Sequence, residues 1–173
     1  MLTLSLLRHA KSSWISPTLP DQDRPLSARG LADAPVMGRA MAKHGIDPSL
    51  VLCSSARRTR DTLALVLPEL KVEPRVIYED ALYHASASEM LRTLRGVGIE
   101  TNSVMLVGHN PEIHALALDL IGPGAQSLKM RLLEKLPTTG FVVIAFPFES
   151  WQQVTVNSGE LKLFLTPKIL AGG

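Results

Sequence analysis

Leu2-Thr3-Leu4-Ser5-Leu6-Leu7 runs directly into Arg8-His9-Ala10. The run is too short for a stable helix and apolar enough to be buried on both faces, as a strand inside a parallel sheet is. The residues that follow such a strand stand at the carboxyl edge of the sheet, where ligands of open α/β folds gather. Here they are an arginine and a histidine.

The rest of the chain supplies partners for that strand. Ser16 to Pro25, rich in Pro and Asp, reads as a loop. Ser27 can N-cap a helix to about Lys43, with Gly45 just past its end, and Pro35 inside it should kink it. Leu50 to Ser54 is a second strand, followed by a helix from about Ser55 to Leu67 that Pro68 stops. Glu73 to Ile77 reads as a third strand. Ser86-Ala87-Ser88-Glu89 is a capping box for a helix to about Arg95. Val104 to Val107 is a fourth strand, and Asn110-Pro111 should open the next helix as N-cap and first residue. Gly122 to Pro137 starts as a turn and has room for a short helix. Phe141 to Phe146, Gln152 to Val156 and Leu161 to Leu165 read as three trailing strands, with Ser158-Gly159 as a hairpin turn for the last two. Strands alternating with helices predict a three-layer α/β/α sandwich with a largely parallel sheet and antiparallel strands at one end, all in one domain spanning 1–173.

The totals narrow the function. The net charge of +2 is too small to argue for nucleic acid or an anionic membrane as partner. Cys53 is the only cysteine. It excludes an internal disulfide framework, fits a reducing compartment, and sits in an apolar run as a buried, inert thiol. No stretch approaches the roughly 18 apolar residues of a membrane span, and no basic segment precedes the apolar start as in a secretory leader. The expectation is a cytoplasmic protein.

Chemistry-bearing residues collect where the strands end. The first strand delivers Arg8-His9. The second delivers Ser54-Ser55 and, a turn later, Arg57, Arg58 and Arg60. The fourth delivers Gly108-His109-Asn110. Cations in the first turns of a helix are disfavoured by its dipole, and a bound anion reverses that cost. His44, after Lys43 at a helix end, and His114, inside a helix, read as structural. Trp14 and Tyr83 could shape a pocket rim.

These residues carry a resemblance. Leu7-Arg8-His9-Ala10 resembles the Arg-His-Gly motif of the histidine phosphatase superfamily, with Ala10 in place of the glycine. Pro25-Leu26-Ser27 with Gly30 is similar to the family's next segment. Ser54 to Thr62 resembles its Ser-Pro-x-x-Arg-Ala-x-x-Thr segment, and the spacing picks out Arg58 as the second arginine. Val107 to Pro111 resembles the second-histidine motif. Gly159-Glu160-Leu161 with Thr166-Pro167-Lys168 is similar to the short SixA-type branch of phosphohistidine phosphatases.

The resemblance implies a phosphatase in which neutral His9 attacks phosphorus, its other ring nitrogen donating to a backbone carbonyl. Arg8 and Arg58 would fork onto phosphate oxygens, and His109 would add a donor as a cation. Ser12 is a further contact by resemblance alone. No metal or other cofactor is expected, because arginines take the role that magnesium has in kinases. The expected substrate is phosphohistidine in a protein, with inorganic phosphate as product. The alternatives are a phosphatase of small phosphorylated metabolites, a mutase moving phosphate within a sugar acid, and a non-catalytic phosphate-binding module, which would have no use for the nucleophile His9. No motif fixes a carboxylic acid for the leaving group. Glu79, Asp80 and His84 lie in the right region.

Overall fold

The computed structural model describes residues 1–172. Its middle layer is a six-stranded sheet of β1 (Leu2–Arg8), β2 (Leu50–Ser54), β3 (Arg75–Glu79), β4 (Ser103–Gly108), β5 (Phe141–Phe146) and β6 (Glu160–Leu165), ordered β3-β2-β4-β1-β5-β6 in space. The first four in that order run parallel; β5 is antiparallel to β1, and β6 to β5. The expected architecture is the observed one.

Period-two alternation explains why both faces need covering. Leu2, Leu4, Leu6, Leu52, Val104, Leu106, Val142 and Ile144 point into one core. Leu7, Val51, Cys53, Met105, Val107, Phe141 and Val143 point into the other. Three helices, α3 (Ala87–Arg95), α4 (Glu112–Leu120) and α5 (Gln126–Glu134), close the first face, while α1 (Ala28–Lys43), α2 (Arg57–Val66) and α6 (Pro167–Leu170) close the second. Burying one Leu side chain is worth roughly 2 kcal/mol relative to exposure, so the strand pattern dominates the fold.

Helix boundaries follow local chemistry. Ser27 Oγ accepts from the Gly30 amide at the start of α1, and His44 caps its end. Pro35 lies inside α1 without ending it. Ser86 and Glu89 form both bonds of their capping box at the start of α3.

Three expectations are corrected. Gln152–Val156 is not a strand: Trp151–Gln153 is one turn of 3-10 helix, and Trp151 and Val154 are the buried residues. Their three-residue spacing belongs to a helical turn, and Ser150 with Gln153 caps it. Consequently Ser158-Gly159 does not turn a hairpin; Gly159 instead bonds with Leu120 and Gly122 beyond α4. Pro111 is the N-cap of α4 rather than its first residue, so the helix starts at Glu112.

Candidate active site

The parallel register sets the site. Leu7, Val107 and Cys53 lie in one row across β1, β4 and β2. The next row holds Arg8 beside Gly108, and His9 donates its backbone N–H to the Gly108 carbonyl at 3.1 Å. His9 and His109 therefore leave adjacent strands at the same level, with ring centroids 5.3 Å apart. Ser54, at the end of β2, places its hydroxyl 2.8 Å from His109 Nε2.

His9 is held in one tautomer. Its Nδ1 lies 2.7 Å from the Ala10 carbonyl oxygen, which can only accept, so Nδ1 carries the proton. Among the described residues Nε2 makes no hydrogen bond. Burial pushes the His9 imidazole down to about 4, partly opposed by the Ala10 carbonyl and reinforced by Arg58, Arg8 and Arg24. At neutral pH the ring is an uncharged base with a free lone pair. The small Ala10 is itself fully buried, and its amide donates to Thr62 Oγ1 at 2.9 Å. The Thr62 hydroxyl in turn donates to the Arg58 carbonyl at 2.6 Å. Thr62 thus ties the loop after His9 to the helix that carries Arg58.

The sequence register of α2 places its arginines well. Arg58 is buried, while Arg57 and Arg60 are exposed. Arg57 pairs with Asp61, and Arg60 lies over the Tyr78 ring. Arg8 donates from Nη1 to the Leu136 carbonyl at 3.0 Å. Arg8 Nε and Arg58 Nε are both buried without a partner. Two unpaired guanidinium N–H groups beside a free imidazole nitrogen suit an anion with several acceptor oxygens.

The expected cationic His109 is corrected. Burial first, then His9 and Arg58, push its imidazole down to about 3, against which Asp21 acts weakly. It is neutral here, with Nδ1 buried and unpartnered. Ser12 is buried, and its backbone bridges to Leu26.

Three contributors were not singled out from sequence. Asp21 pairs with Arg58 and Arg24. Arg24 is buried under the Trp14 ring at 3.4 Å. Thr139 is fully buried in a left-handed conformation, its amide bonded to the His9 carbonyl. Loop residues without periodicity carry no signal for such cross-chain contacts. Tyr83 does wall the pocket, standing edge-on to His109 at 5.5 Å. Trp14, by contrast, is mostly exposed. Of the three groups considered as acid, His84 has its ring 4.0 Å from that of Tyr83. Glu79 is half-buried at the end of β3, beside Ser54 in register, and Asp80 is exposed.

His44 and His114 have structural places: the first caps α1, and the second has Nε2 2.6 Å from the Leu132 carbonyl. Burial pushes the Cys53 thiol up to about 12, which makes it inert. Among the described residues no group of three His, Cys, Asp or Glu could hold a metal ion, and no helix is long and apolar enough to cross a membrane.

Comparison with known proteins agrees with this arrangement. Residues 4–90 match the model of the histidine phosphatase superfamily, branch 1. An uncharacterized protein of Mycobacterium leprae is 32% identical over 166 residues, covering 94% of this chain and 100% of that one. The crystal structure of a candidate phosphohistidine phosphatase SixA from Agrobacterium tumefaciens is 31% identical and superposes with a TM-score of 0.81 over 96% of this chain and 98% of its own. A second SixA candidate, from Nakamurella multipartitia, is 28% identical with a TM-score of 0.83, over 96% of both chains. The chain belongs to the histidine phosphatase superfamily, and it is a phosphatase.

Proposed function

We propose that the protein removes phosphate from phosphohistidine in a protein, by way of a phosphorylated His9 and without a metal. The observation that carries this reading is the state of His9: neutral, buried, proton fixed on Nδ1, and Nε2 open beside two arginines. The Nε2 lone pair forms a bond to phosphorus as the bond from phosphorus to the substrate imidazole breaks. Arg8 and Arg58 hold the non-bridging oxygens, and His109 donates from Nδ1 with Ser54 at its other nitrogen. Preorganised donors of this kind are each worth roughly 3–4 kcal/mol to a transition state. Water then attacks phosphorus, the bond to His9 breaks, and inorganic phosphate leaves. The water's proton passes to solvent.

The leaving group selects the substrate. Expelling a serine alkoxide, whose conjugate acid resembles water with a pKa of about 15.7, calls for a positioned acid worth about 10²–10⁴ in rate. Imidazole, with a pKa of about 6.5, leaves as a neutral ring once protonated from solvent. Among the described residues no carboxylate is hydrogen-bonded to the His9 ring: Asp80 is exposed, Glu79 is half-buried at the end of β3, and Asp21 is engaged by two arginines. The SixA neighbours support the same substrate.

The test is kcat/KM for a phosphohistidine protein against a phosphoserine peptide, in wild type and in Glu79→Gln, Asp80→Asn and His84→Gln, with label trapped on the enzyme. Base-stable, acid-labile label on His9, absent from His9→Ala, and a strong preference for phosphohistidine are expected. A ratio near one, with selective loss of the phosphoserine rate in one variant, would refute the substrate.

A further inference from the structure

Arg58 does not stand alone in its pocket. Its Nη1 donates to the backbone carbonyl of Asp21 at 2.8 Å, and its Nη2 to Asp21 Oδ2 at 3.1 Å. The Tyr83 hydroxyl donates to that same Oδ2. Asp21 Oδ1 lies 3.1 Å from Arg24 Nε. One carboxylate therefore joins three segments: the loop after β1 that carries it, the start of α2, and the loop between β3 and α3.

The geometry separates two roles that an anion beside Arg58 could have. A competitor for phosphate would cover the edge of the guanidinium that phosphate uses. Asp21 instead takes the end of the fork, one bond from each terminal nitrogen, and leaves Arg58 Nε buried and unpartnered. A guanidinium gripped at its end has its plane fixed, and its side edge is left without a protein partner. Asp21 also has half of its own side chain in solvent, so it is not a core group. Tyr83, anchored to the same oxygen, keeps its ring against His109 and 5.7 Å from the Arg58 guanidinium carbon.

We infer that Asp21 is a positioning residue for Arg58, holding the guanidinium plane so that its Nε edge meets the phosphoryl oxygens, with Tyr83 as its second anchor. This rests on the reading of Arg58 as the phosphate clamp.

The experiment is a double-mutant cycle on turnover of p-nitrophenyl phosphate and inhibition by orthovanadate. Asp21→Ala should lower kcat about tenfold or more, since misplacement on the ångström scale costs up to about 10². It should weaken orthovanadate inhibition in parallel. Asp21→Asn, which keeps an acceptor oxygen, should recover part of both. In an Arg58→Ala background, Asp21→Ala should change either quantity by less than about twofold, because coupled residues are not additive. Asp23→Ala, an exposed carboxylate on the same turn, should behave as wild type. An Asp21→Ala loss of the same factor with and without Arg58 would make the role merely structural and overturn the inference. Tighter orthovanadate inhibition in Asp21→Ala would overturn it too, making Asp21 a competitor. An Arg58→Ala variant as active as wild type would remove the clamp itself, and the positioning role with it.

Discussion

Acidification should destabilise this protein through the two histidines of its site. In the unfolded chain each titrates near about 6.5. In the native pocket His9 is pushed down to about 4 and His109 to about 3, burial being the first cause for both. Between those values the unfolded chain binds protons that the native state refuses, so stability is complete above about pH 6.5 and falls as the pH drops. Each unit of pH inside that window costs about 1.4 kcal/mol per group. Going from about pH 7 to about pH 4.5, each histidine withdraws about 2 kcal/mol once the shallow ends of the titration are allowed for. Many carboxylates titrate over the same range, so the comparison is with His109→Gln. Urea denaturation of both proteins in phosphate-free buffer should show wild type losing about 2 kcal/mol more than the variant. That corresponds to an extra shift of the midpoint of roughly 1 M urea. Parallel losses in the two proteins, or a wild type that gains on the variant as pH falls, would refute a neutral, desolvated His109.

Two further outcomes follow from the placement of side chains. Arg58→Ala should reduce turnover by roughly 10² or more, whereas Arg60→Ala, which removes a cation lying over Tyr78, should leave kcat and KM nearly unchanged in the same assay. Gly30→Ala would put a methyl group against the Lys11 carbonyl oxygen, which also accepts from Ser27 at the start of α1, so thermal unfolding should reveal a loss of about 1–3 kcal/mol; an unchanged Tm would mean that the start of α1 does not pack on the Lys11 loop.

The layers were readable because apolar runs and caps are local. Leu2–Leu7, Leu50–Ser54 and Val104–Val107 are buried on both faces, and the Ser86 box acts within one turn. Arg58 is picked over its neighbours by the Ser54-to-Thr62 spacing of the family resemblance, and the buried face of α2, with Thr59, Thr62, Leu63 and Val66, agrees with that choice. Gln152–Val156 misled because alternation in a short segment also suits a helical turn; the serine three residues before Gln153 was the available clue. The protonation of His109 depends on burial and on His9, Arg58, Asp21 and His84, all distant in sequence, and the Arg58 and Tyr83 partners of Asp21 are 37 and 62 residues away. Neither leaves a mark at its own position.

The sheet order also has a consequence for biosynthesis. The strand of this sheet made first, β1, lies between β4 and β5, which are made fourth and fifth. Its hydrogen-bonding edges can be filled only after Phe146 has been translated. At roughly 5–20 residues per second, the ribosome needs about 7–30 seconds to go from β1 to that point. During that time a leucine-rich segment lacks one or both of its native neighbours, and the pocket of His9 is incomplete. Thr3 and Ser5, spaced between the leucines, are the polar interruptions that segment has while it waits.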